Sequence, residues 1–343
     1  MIHIEYDRAD LTYYSGEKVS GKVHVNVEKR TKCNSILVRL MWYAHGIGNE
    51  SVNKIIEINV HDGADLEAGR YTFPFEFQLP AGPCTYRGYH TNVDWYVEAQ
   101  VDIPWARDPK GDEDFILKPG PMANPPVPEK PHTETKSDNG VTGGIIGVGM
   151  LVVAAICFLI DIATEEFGLS CCGLICLIGG GFVTYMAVHR FLSTRLVGAV
   201  TFGVEPWPVH PGGTFTHRIE FTPKADMLVN EITVQLEGKE VVVEGAGSDK
   251  TTYTHELFNQ TITVCGESEC AKGGPVVFNA DFEIPADAAC SFECSSNQVV
   301  WLVTTHIDIP NWPDWNDTHE VVVAPDHTPR AMAPETSAPG PAW

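Results

Sequence analysis

Apolar and polar residues alternate with a period of two along much of residues 1–118. The alternation is clearest in four runs, each bounded by glycine or proline: 19–27, 36–42, 73–79 and 95–103. Successive side chains of a β-strand point to opposite faces, so this pattern predicts antiparallel strands with one buried face. Several such strands at short spacing predict a β-sandwich.

Two uncharged runs interrupt this pattern in the middle of the chain. Residues 143–160 and 168–188 contain no Asp, Glu, Lys or Arg, and an acidic link at 161–167 separates them. A helix of about 18 residues is roughly 27 Å long, which is enough to cross the hydrocarbon layer of a bilayer. Neither run has a polar face at helical spacing. We therefore predict a transmembrane helical hairpin over 143–190, in preference to two helices buried in a soluble core.

The charges that flank these runs predict their orientation. His189, Arg190 and Arg195 follow the second run, Lys130 and Lys136 precede the first, and the link carries no Lys or Arg. Positive residues stay on the cytoplasmic side of a membrane. An integral membrane protein with both large segments in the cytoplasm is therefore predicted.

Glycines within the two runs allow helices to approach closely. They form a Gly143-x3-Gly147 pair in the first run and the stretch Gly179-Gly180-Gly181 in the second. Small residues of this kind are typical of helix contacts in membranes. We expect the hairpin to pack on itself or to self-associate.

Proline-rich segments lie before the hairpin and at the end of the sequence. Residues 119–142 mix proline with Lys, Glu, Thr, Ser and Asn, so they are predicted to be an extended, semi-rigid linker. Residues 325–343 are rich in proline and alanine and are predicted to be a disordered tail.

Residues 196–324 repeat the pattern of residues 1–118. The matching blocks keep their order: Ile36-x-Val38-x-Leu40 with Ile232-x-Val234-x-Leu236 at an offset of 196, then Trp95 with Trp301, and Asp102-Ile103-Pro104 with Asp308-Ile309-Pro310, at an offset of 206. We interpret this order as an internal duplication, which predicts a second sandwich. The rise in offset predicts an insertion within 245–274.

Charge and motifs exclude several classes of function. The net charge is −22 at pH 7, and residues 196–326 carry 5 Lys and Arg against 20 Asp and Glu. Such a surface repels nucleic-acid phosphates and anionic headgroups, so no nucleic-acid binding is expected and membrane attachment falls to the hairpin. The sequence has no phosphate loop, His-Glu-x-x-His or Gly-x-Ser-x-Gly motif, and we predict no enzymatic activity.

Four cysteines of the second segment are the candidate metal ligands. Cys265-x4-Cys270 and Cys290-x3-Cys294 flank a predicted strand that ends at Pro285, so turns would bring the pairs together. Thiolates at short spacing suit a tetrahedral zinc site. Two disulfides would suit the same spacing outside the cytoplasm, where thiols are oxidised. Four unrelated thiols are the interpretation that we favour over zinc and disulfides, because the spacing departs from Cys-x2-Cys.

The aromatic run Trp312-Pro313-Asp314-Trp315 follows the last Asp-Ile-Pro block. Such residues usually pack over the open end of a sandwich, and we favour that interpretation. The alternative is an exposed binding patch or an anchor at a membrane interface.

Several stretches of the first segment resemble the arrestin family. Residues 14–23 (YSGEKVSGKV) are similar to the opening motif of that family. Residues 73–80 (FPFEFQLP), followed by 83–88 (PCTYRG) and 94–99 (DWYVEA), are similar to its core motif. The resemblance covers most of the first segment and extends more faintly over the second.

The resemblance implies an all-β fold of two arrestin-like, immunoglobulin-type β-sandwich lobes in tandem, here separated by the two-helix transmembrane hairpin. It also implies a non-catalytic adaptor or scaffold. Arrestins pass directly from one lobe to the other, whereas this chain inserts a hairpin at that junction. Receptor-binding arrestins sense phosphate through basic residues, and Arg87 is the only basic residue in the core block here. The phosphate-sensing role is therefore not carried over to it.

The predicted function is a membrane-anchored arrestin-like adaptor that binds protein partners at the cytoplasmic face. Partners would bind through loops or through an exposed strand edge. The alternative is a membrane-bound metal or redox sensor that uses the second-lobe cysteines. No cofactor is predicted apart from zinc at those four residues.

Overall fold

The computed structural model describes six stretches of the chain: 2–63, 65–122, 125–126, 133–136, 141–164 and 170–327. Strands dominate these stretches, and two long helices lie between two groups of strands. The mostly β architecture agrees with the predicted sandwich lobes.

Nine strands build the first lobe. They are β1 (Ile2–Tyr6), β2 (Thr12–Tyr14), β3 (Lys18–Val27), β4 (Ser35–Gly46), β5 (Ser51–Asp62), β6 (Gly69–Gln78), β7 (Tyr86–Arg87), β8 (Thr91–Asp102) and β9 (Lys110–Lys118). One sheet has the order β1-β3-β6, and the other has the order β2-β9-β8-β4-β5, with β7 paired to β8. The four predicted runs coincide with β3, β4, β6 and β8. Their apolar positions are buried in one core, which includes Val23, Leu40, Phe77 and Trp95.

Eleven strands build the second lobe among the described residues. They are β10 (Thr133–Lys136), β11 (Val200–Glu205), β12 (Thr214–Phe221), β13 (Met227–Val229), β14 (Glu231–Glu244), β15 (Thr251–Cys265), β16 (Ser268–Cys270), β17 (Val276–Glu283), β18 (Phe292–Glu293), β19 (Asn297–Asp308) and β20 (Trp315–Val321). One sheet has the order β10-β11-β12-β17 and the other β15-β14-β19-β18, with β20 paired to β19 and a separate β13-β16 ladder. A second core fills the space between the sheets.

Strand β10 lies inside the segment predicted to be a linker. Its residues pair antiparallel with β11, from Thr133 opposite Gly203 to Lys136 opposite Val200. The Glu134 carboxylate also lies 3.1 Å from Nδ1 of the buried His319. The linker therefore contributes an edge strand to the second lobe, and its alternating threonines, Thr133 and Thr135, are residues that favour strands.

Two helices occur where the uncharged runs predict them. Helix α1 spans Val141–Thr164 and α2 spans Ser170–Val197. The helices pack on each other, and a Cβ at Gly179 would lie 3.1 Å from Cε of Met150. In the described part of the chain, one helical segment, Leu174–Val197, is long and apolar enough to cross a membrane. Insertion of the hairpin into a membrane stays a prediction.

Helix α2 extends past the predicted end of the hairpin and enters the second lobe. Leu196 and Val197, in its last turn, are buried in the core of that lobe. The Gly198 amide donates to the Thr194 carbonyl at 2.8 Å, and Gly198 has a φ of +86°, which is typical of a glycine that ends a helix. Hence no flexible segment separates α2 from the sandwich.

The two lobes repeat one contact at their centres. Trp95 and Trp301 are both buried, as the sequence pattern predicts. The Trp95 indole donates to the Pro83 carbonyl at 2.7 Å, and the Trp301 indole donates to the Ala289 carbonyl at 2.9 Å. Each bond spans twelve residues of sequence. This equivalence supports the interpretation of an internal duplication.

Candidate functional site

The two lobes meet at a contact that we call the interlobe seam, formed by Asn49, residues 86–90, and residues 240–245. The Asn49 side chain pairs with both backbone groups of Gly245, as a neighbouring strand would. Its Nδ2 donates to the Gly245 carbonyl at 2.8 Å, and its Oδ1 accepts from the Gly245 amide at 3.1 Å. The Asn49 amide donates to the Val243 carbonyl at 2.9 Å. The β4–β5 turn is thereby held against the end of β14.

A buried carboxylate lies at the centre of the seam. Glu240 of β14 is fully buried, and three donors from the first lobe reach it. They are the Tyr86 hydroxyl at 2.5 Å, the Tyr89 amide at 3.0 Å and the His90 amide at 2.6 Å. A Cβ at Gly88 would collide with the carboxylate, so only glycine allows the loop to come this close. Burial, followed by the bond to Glu240, raises the pKa of Tyr86, so its hydroxyl remains a donor.

Aromatic contacts extend the seam on either side of Glu240. Tyr89 stacks on His255 with ring centroids 4.3 Å apart, and His90 meets His255 edge to face at 5.7 Å. Tyr86 and Phe292 meet at 6.1 Å. The seam therefore combines charge-assisted hydrogen bonds with apolar packing, and such an arrangement can fix the orientation of one lobe relative to the other.

The four candidate metal ligands lie at two separate places. Cys265 lies opposite Ile232, near the start of β14. The Cys294 amide donates to Asn297, which lies opposite Val242 near the end of β14. Ten residues of strand separate these positions, a distance of about 33 Å. The predicted turns therefore do not bring both pairs together.

One thiol of each pair, Cys270 and Cys290, lies in surroundings that favour its protonated form. Burial, and then the neighbouring Cys84, raises the pKa of Cys290 to about 12. Burial, and then Cys265, raises the pKa of Cys270. Thiolate is the form that binds zinc. Among the described residues, no group of three or more His, Cys, Asp and Glu side chains is arranged to hold a metal ion.

The aromatic run of the second lobe divides between core and surface. Trp315 is buried and packs near Phe202, as expected of a residue over the end of the sandwich. Trp312 is 48% exposed. The packing interpretation therefore holds for Trp315, while half of Trp312 faces solvent.

A buried histidine of the second lobe is a further feature that the sequence motifs did not indicate. His217 of β12 is fully buried, and neither of its ring nitrogens has a hydrogen-bond partner within the described part of the chain. Its ring stacks on Phe202 at 5.4 Å and lies 6.0 Å from that of His319. Burial, and then His319, lowers the pKa of His217 to about 3, so the imidazole is neutral at physiological pH.

Sequence reasoning missed Glu240, although a signal was present. The inward positions of β14 run Ile232, Val234, Leu236, Gly238, Glu240 and Val242, and all are buried. A carboxylate in such a series is unusual, because a buried charge needs partners. Asn49 gave no such signal, since an asparagine in a turn is ordinary.

Comparison with known proteins gives one family match. Residues 48–119 match the family of arrestin (or S-antigen) N-terminal domains. No curated protein is significantly similar in sequence. Among solved structures, Spo0M, a sporulation control protein from Bacillus subtilis, is similar with a TM-score of 0.30 and 19% identity, over 36% of this chain and 48% of that protein.

Proposed function

Since this chain is an arrestin-like protein over residues 48–119, we propose that it is a membrane-anchored adaptor that binds protein partners at the cytoplasmic face of a membrane and catalyses no reaction. The hairpin of α1 and α2 provides the anchor, and the lobes provide the binding surfaces. The observation that carries the proposal is the end of α2. That helix runs without a break from its apolar segment into the core of the second lobe.

The flanking charges support the cytoplasmic location of both lobes. Arg190 and Arg195 follow the second apolar run, and the link between the runs has no Lys or Arg. Cytoplasmic flanks of membrane helices are enriched in basic residues. On this orientation, only the link at 161–167 lies on the other side of the membrane.

The outer strands β5 and β15 are the proposed binding edges. Each is the last strand of its sheet in the described part of the chain. Their outer backbone groups can pair with an extended segment of a partner protein. On β5, Val52 is 56% exposed and Ile55 is 41% exposed, so this edge also offers apolar side chains.

The interlobe seam supports a scaffold role. Because Glu240 and Asn49 hold both lobes in one orientation, a partner can contact β5 and β15 together. The alternative of a metal or redox sensor has less support, since Cys265 and Cys294 lie about 33 Å apart along β14. Self-association through the hairpin remains part of the proposal.

Replacement of the hairpin tests the adaptor proposal. Residues 143–188 are exchanged for an unrelated cytoplasm-facing hairpin of equal length, while residues 189–197 are kept because their end belongs to the lobe core. A proximity-labelling enzyme is fused to the second lobe, and labelled neighbours are identified in vivo. We expect the same set of neighbours for the parent and the exchanged protein, because an anchor acts by raising local concentration.

A variant that lacks residues 143–188 is the matched control, and we expect it to lose that set. If the variant without a hairpin labels the same proteins, anchoring does not serve the adaptor role. If the exchanged protein loses them while remaining folded and at the membrane, the spans themselves take part in recognition.

A further inference from the structure

Three segments of the chain meet where α2 enters the second lobe. The Lys224 amide donates to the Leu196 carbonyl at 2.9 Å, and the Gly273 amide donates to the Pro223 carbonyl at 2.8 Å. The Lys224 side chain lies against Gly198, where an added Cβ would be 3.1 Å from its Cε. The last turn of α2, the β12–β13 turn and the β16–β17 turn therefore form one continuous surface.

This surface carries three exposed cations, Arg195, Lys224 and Lys272, which we call the basic rim. Residues 196–326 contain only 5 Lys and Arg, and two of them are in the rim. Arg218 and Lys239 each form an ion pair with a glutamate two residues away. Within the described part of the chain, no salt bridge pairs Lys224 or Lys272 with a carboxylate. Their charges are available to an external anion.

Asp226, Glu267 and Glu269 are the acidic residues that lie near the rim along the chain. The Asp226 carboxylate accepts a bond from the Lys272 amide at 2.7 Å, so it is engaged by the backbone. Glu269 pairs in register with Leu228 in the ladder of β13 and β16, and Glu267 lies just before β16. The last turn of α2 and the two turns beside it carry three cations against the single carboxylate of Asp226, so the charge at the end of α2 is locally positive although the lobe as a whole is acidic.

The length of α2 places the rim beside the bilayer. The uncharged run ends at Val188, and Arg195 follows seven residues later along the same helix. Seven residues of helix rise about 10 Å, which is close to the depth of the headgroup layer plus the length of a basic side chain. Because α2 ends in the lobe core, the rim cannot swing away from this level.

From this geometry we propose that the basic rim binds the headgroups of anionic phospholipids. The inference rests on the proposed membrane anchor and adds a second, electrostatic contact between the lobe and the bilayer. Lys224 and Lys272 would contact lipid phosphate as exposed point charges. The rim would fix which face of the lobe meets the membrane and so which edges remain open to protein partners.

Hydrogen exchange of the full chain in lipid nanodiscs tests this inference. Discs are made from phosphatidylcholine alone and from phosphatidylcholine with phosphatidylglycerol. We expect backbone amides at 224–226 and 271–274 to exchange more slowly in the anionic discs. In the double variant Lys224→Glu, Lys272→Glu, exchange should be the same in both discs. A basic residue near an anionic surface contributes about fivefold, so two should contribute roughly thirtyfold to the bound population.

Lys250→Glu is the matched control, because Lys250 is also exposed but lies at the opposite end of β14 and β15. It should keep the lipid dependence of the parent. Unchanged exchange of β14 and β19 establishes that the double variant is folded. If the parent enters the discs but exchanges equally in both, the rim does not bind lipid. Protection that persists in the double variant would lead to the same conclusion. In both cases the membrane anchor would still be supported. If the chain does not enter the discs at all, both the proposed membrane anchor and lipid binding by the rim are contradicted.

Discussion

Glu240 stands at a position where the alternation along β14 predicts an apolar residue. Its carboxylate is fully buried, and its partners are two amides and one hydroxyl of the other lobe. A buried carboxylate without such donors would cost several kcal/mol. The residue therefore stabilises the seam through its charge rather than through its volume.

Replacement of Glu240 with alanine should destabilise the folded chain. Glu240→Ala leaves the Tyr86 hydroxyl and the amides of Tyr89 and His90 buried without their acceptor, at a cost of about 1–3 kcal/mol for each unsatisfied donor that water does not reach. We expect a clear fall in the midpoint of thermal unfolding. Glu231→Ala on the same strand is the control, because Glu231 is exposed. Equal midpoints for the two variants would contradict the role of Glu240 in the seam.

The burial of His217 should make the stability of the second lobe depend on pH. Its pKa falls from 6.5 to about 3 in the folded chain because of burial and His319. The fold therefore holds the neutral ring, and this contribution to stability is complete above pH 6.5. As the pH falls from 6.5 toward 3, the unfolded chain takes up a proton that the folded chain does not.

The free energy of unfolding should therefore decrease by up to about 1.4 kcal/mol for each pH unit in that window. Denaturant titrations of the parent and of His217→Phe at several pH values measure this slope. In His217→Phe, the free energy of unfolding should depend less steeply on pH between 6.5 and 3. His3→Gln removes an exposed histidine of the first lobe, and this control should show the same pH dependence as the parent. Parallel curves for the parent and His217→Phe would show that the buried ring does not control the pH dependence.

The sequence predicted buried residues correctly where the alternation of apolar and polar positions along a strand determines which side chains face the core. Trp95 and Trp301 were expected in the core from their strands, and both are there. The donors that reach Glu240 and the rings that pack against His217 come from other strands and loops, so no local sequence pattern indicates them. For the same reason, the short spacing within each cysteine pair did not reveal that the length of β14 separates them.

At the scale of elements, local periodicity predicted the strands of the first lobe, and lack of charge predicted the two helices. The end of α2 was not predicted, because its last turn is stabilised by the lobe core rather than by its own sequence. Strand β10 was missed because four residues among prolines give too short a pattern, and its pairing with β11 depends on tertiary structure.

Truncation of Leu196 tests whether the last turn of α2 belongs to the second lobe. Leu196 is 6% exposed and packs in the lobe core. Leu196→Ala should lower the stability of that lobe by about 2–5 kcal/mol, since it leaves a cavity in a packed core. Limited proteolysis of the full chain reports this loss as faster cleavage within β14–β19.

Val188→Ala is the matched control, because Val188 lies on the same helix and is 49% exposed. It should leave the cleavage rate of the lobe unchanged. A similar effect of both substitutions would mean that α2 ends outside the core and that no rigid connection joins the helical hairpin to the second lobe.

At the scale of the whole molecule, three parts are joined by two kinds of connection. The seam joins the lobes through polar contacts of Glu240 and Asn49, and α2 joins the hairpin to the second lobe through apolar burial. Both connections restrict motion, so the hairpin, the basic rim and the outer strands keep fixed relative positions. The adaptor proposal depends on this arrangement and, separately, on a hairpin that crosses the membrane.

Topology mapping in cells tests that central claim most directly. A reporter that is active only in the cytoplasm is fused to either end of the chain, and a small tag for labelling from outside is inserted in the link at 161–166. We predict cytoplasmic activity at both ends and labelling of the link in intact cells. A reporter that is inactive at either end, or a link that is labelled only after the membrane is permeabilised, would contradict the hairpin and the orientation of both lobes.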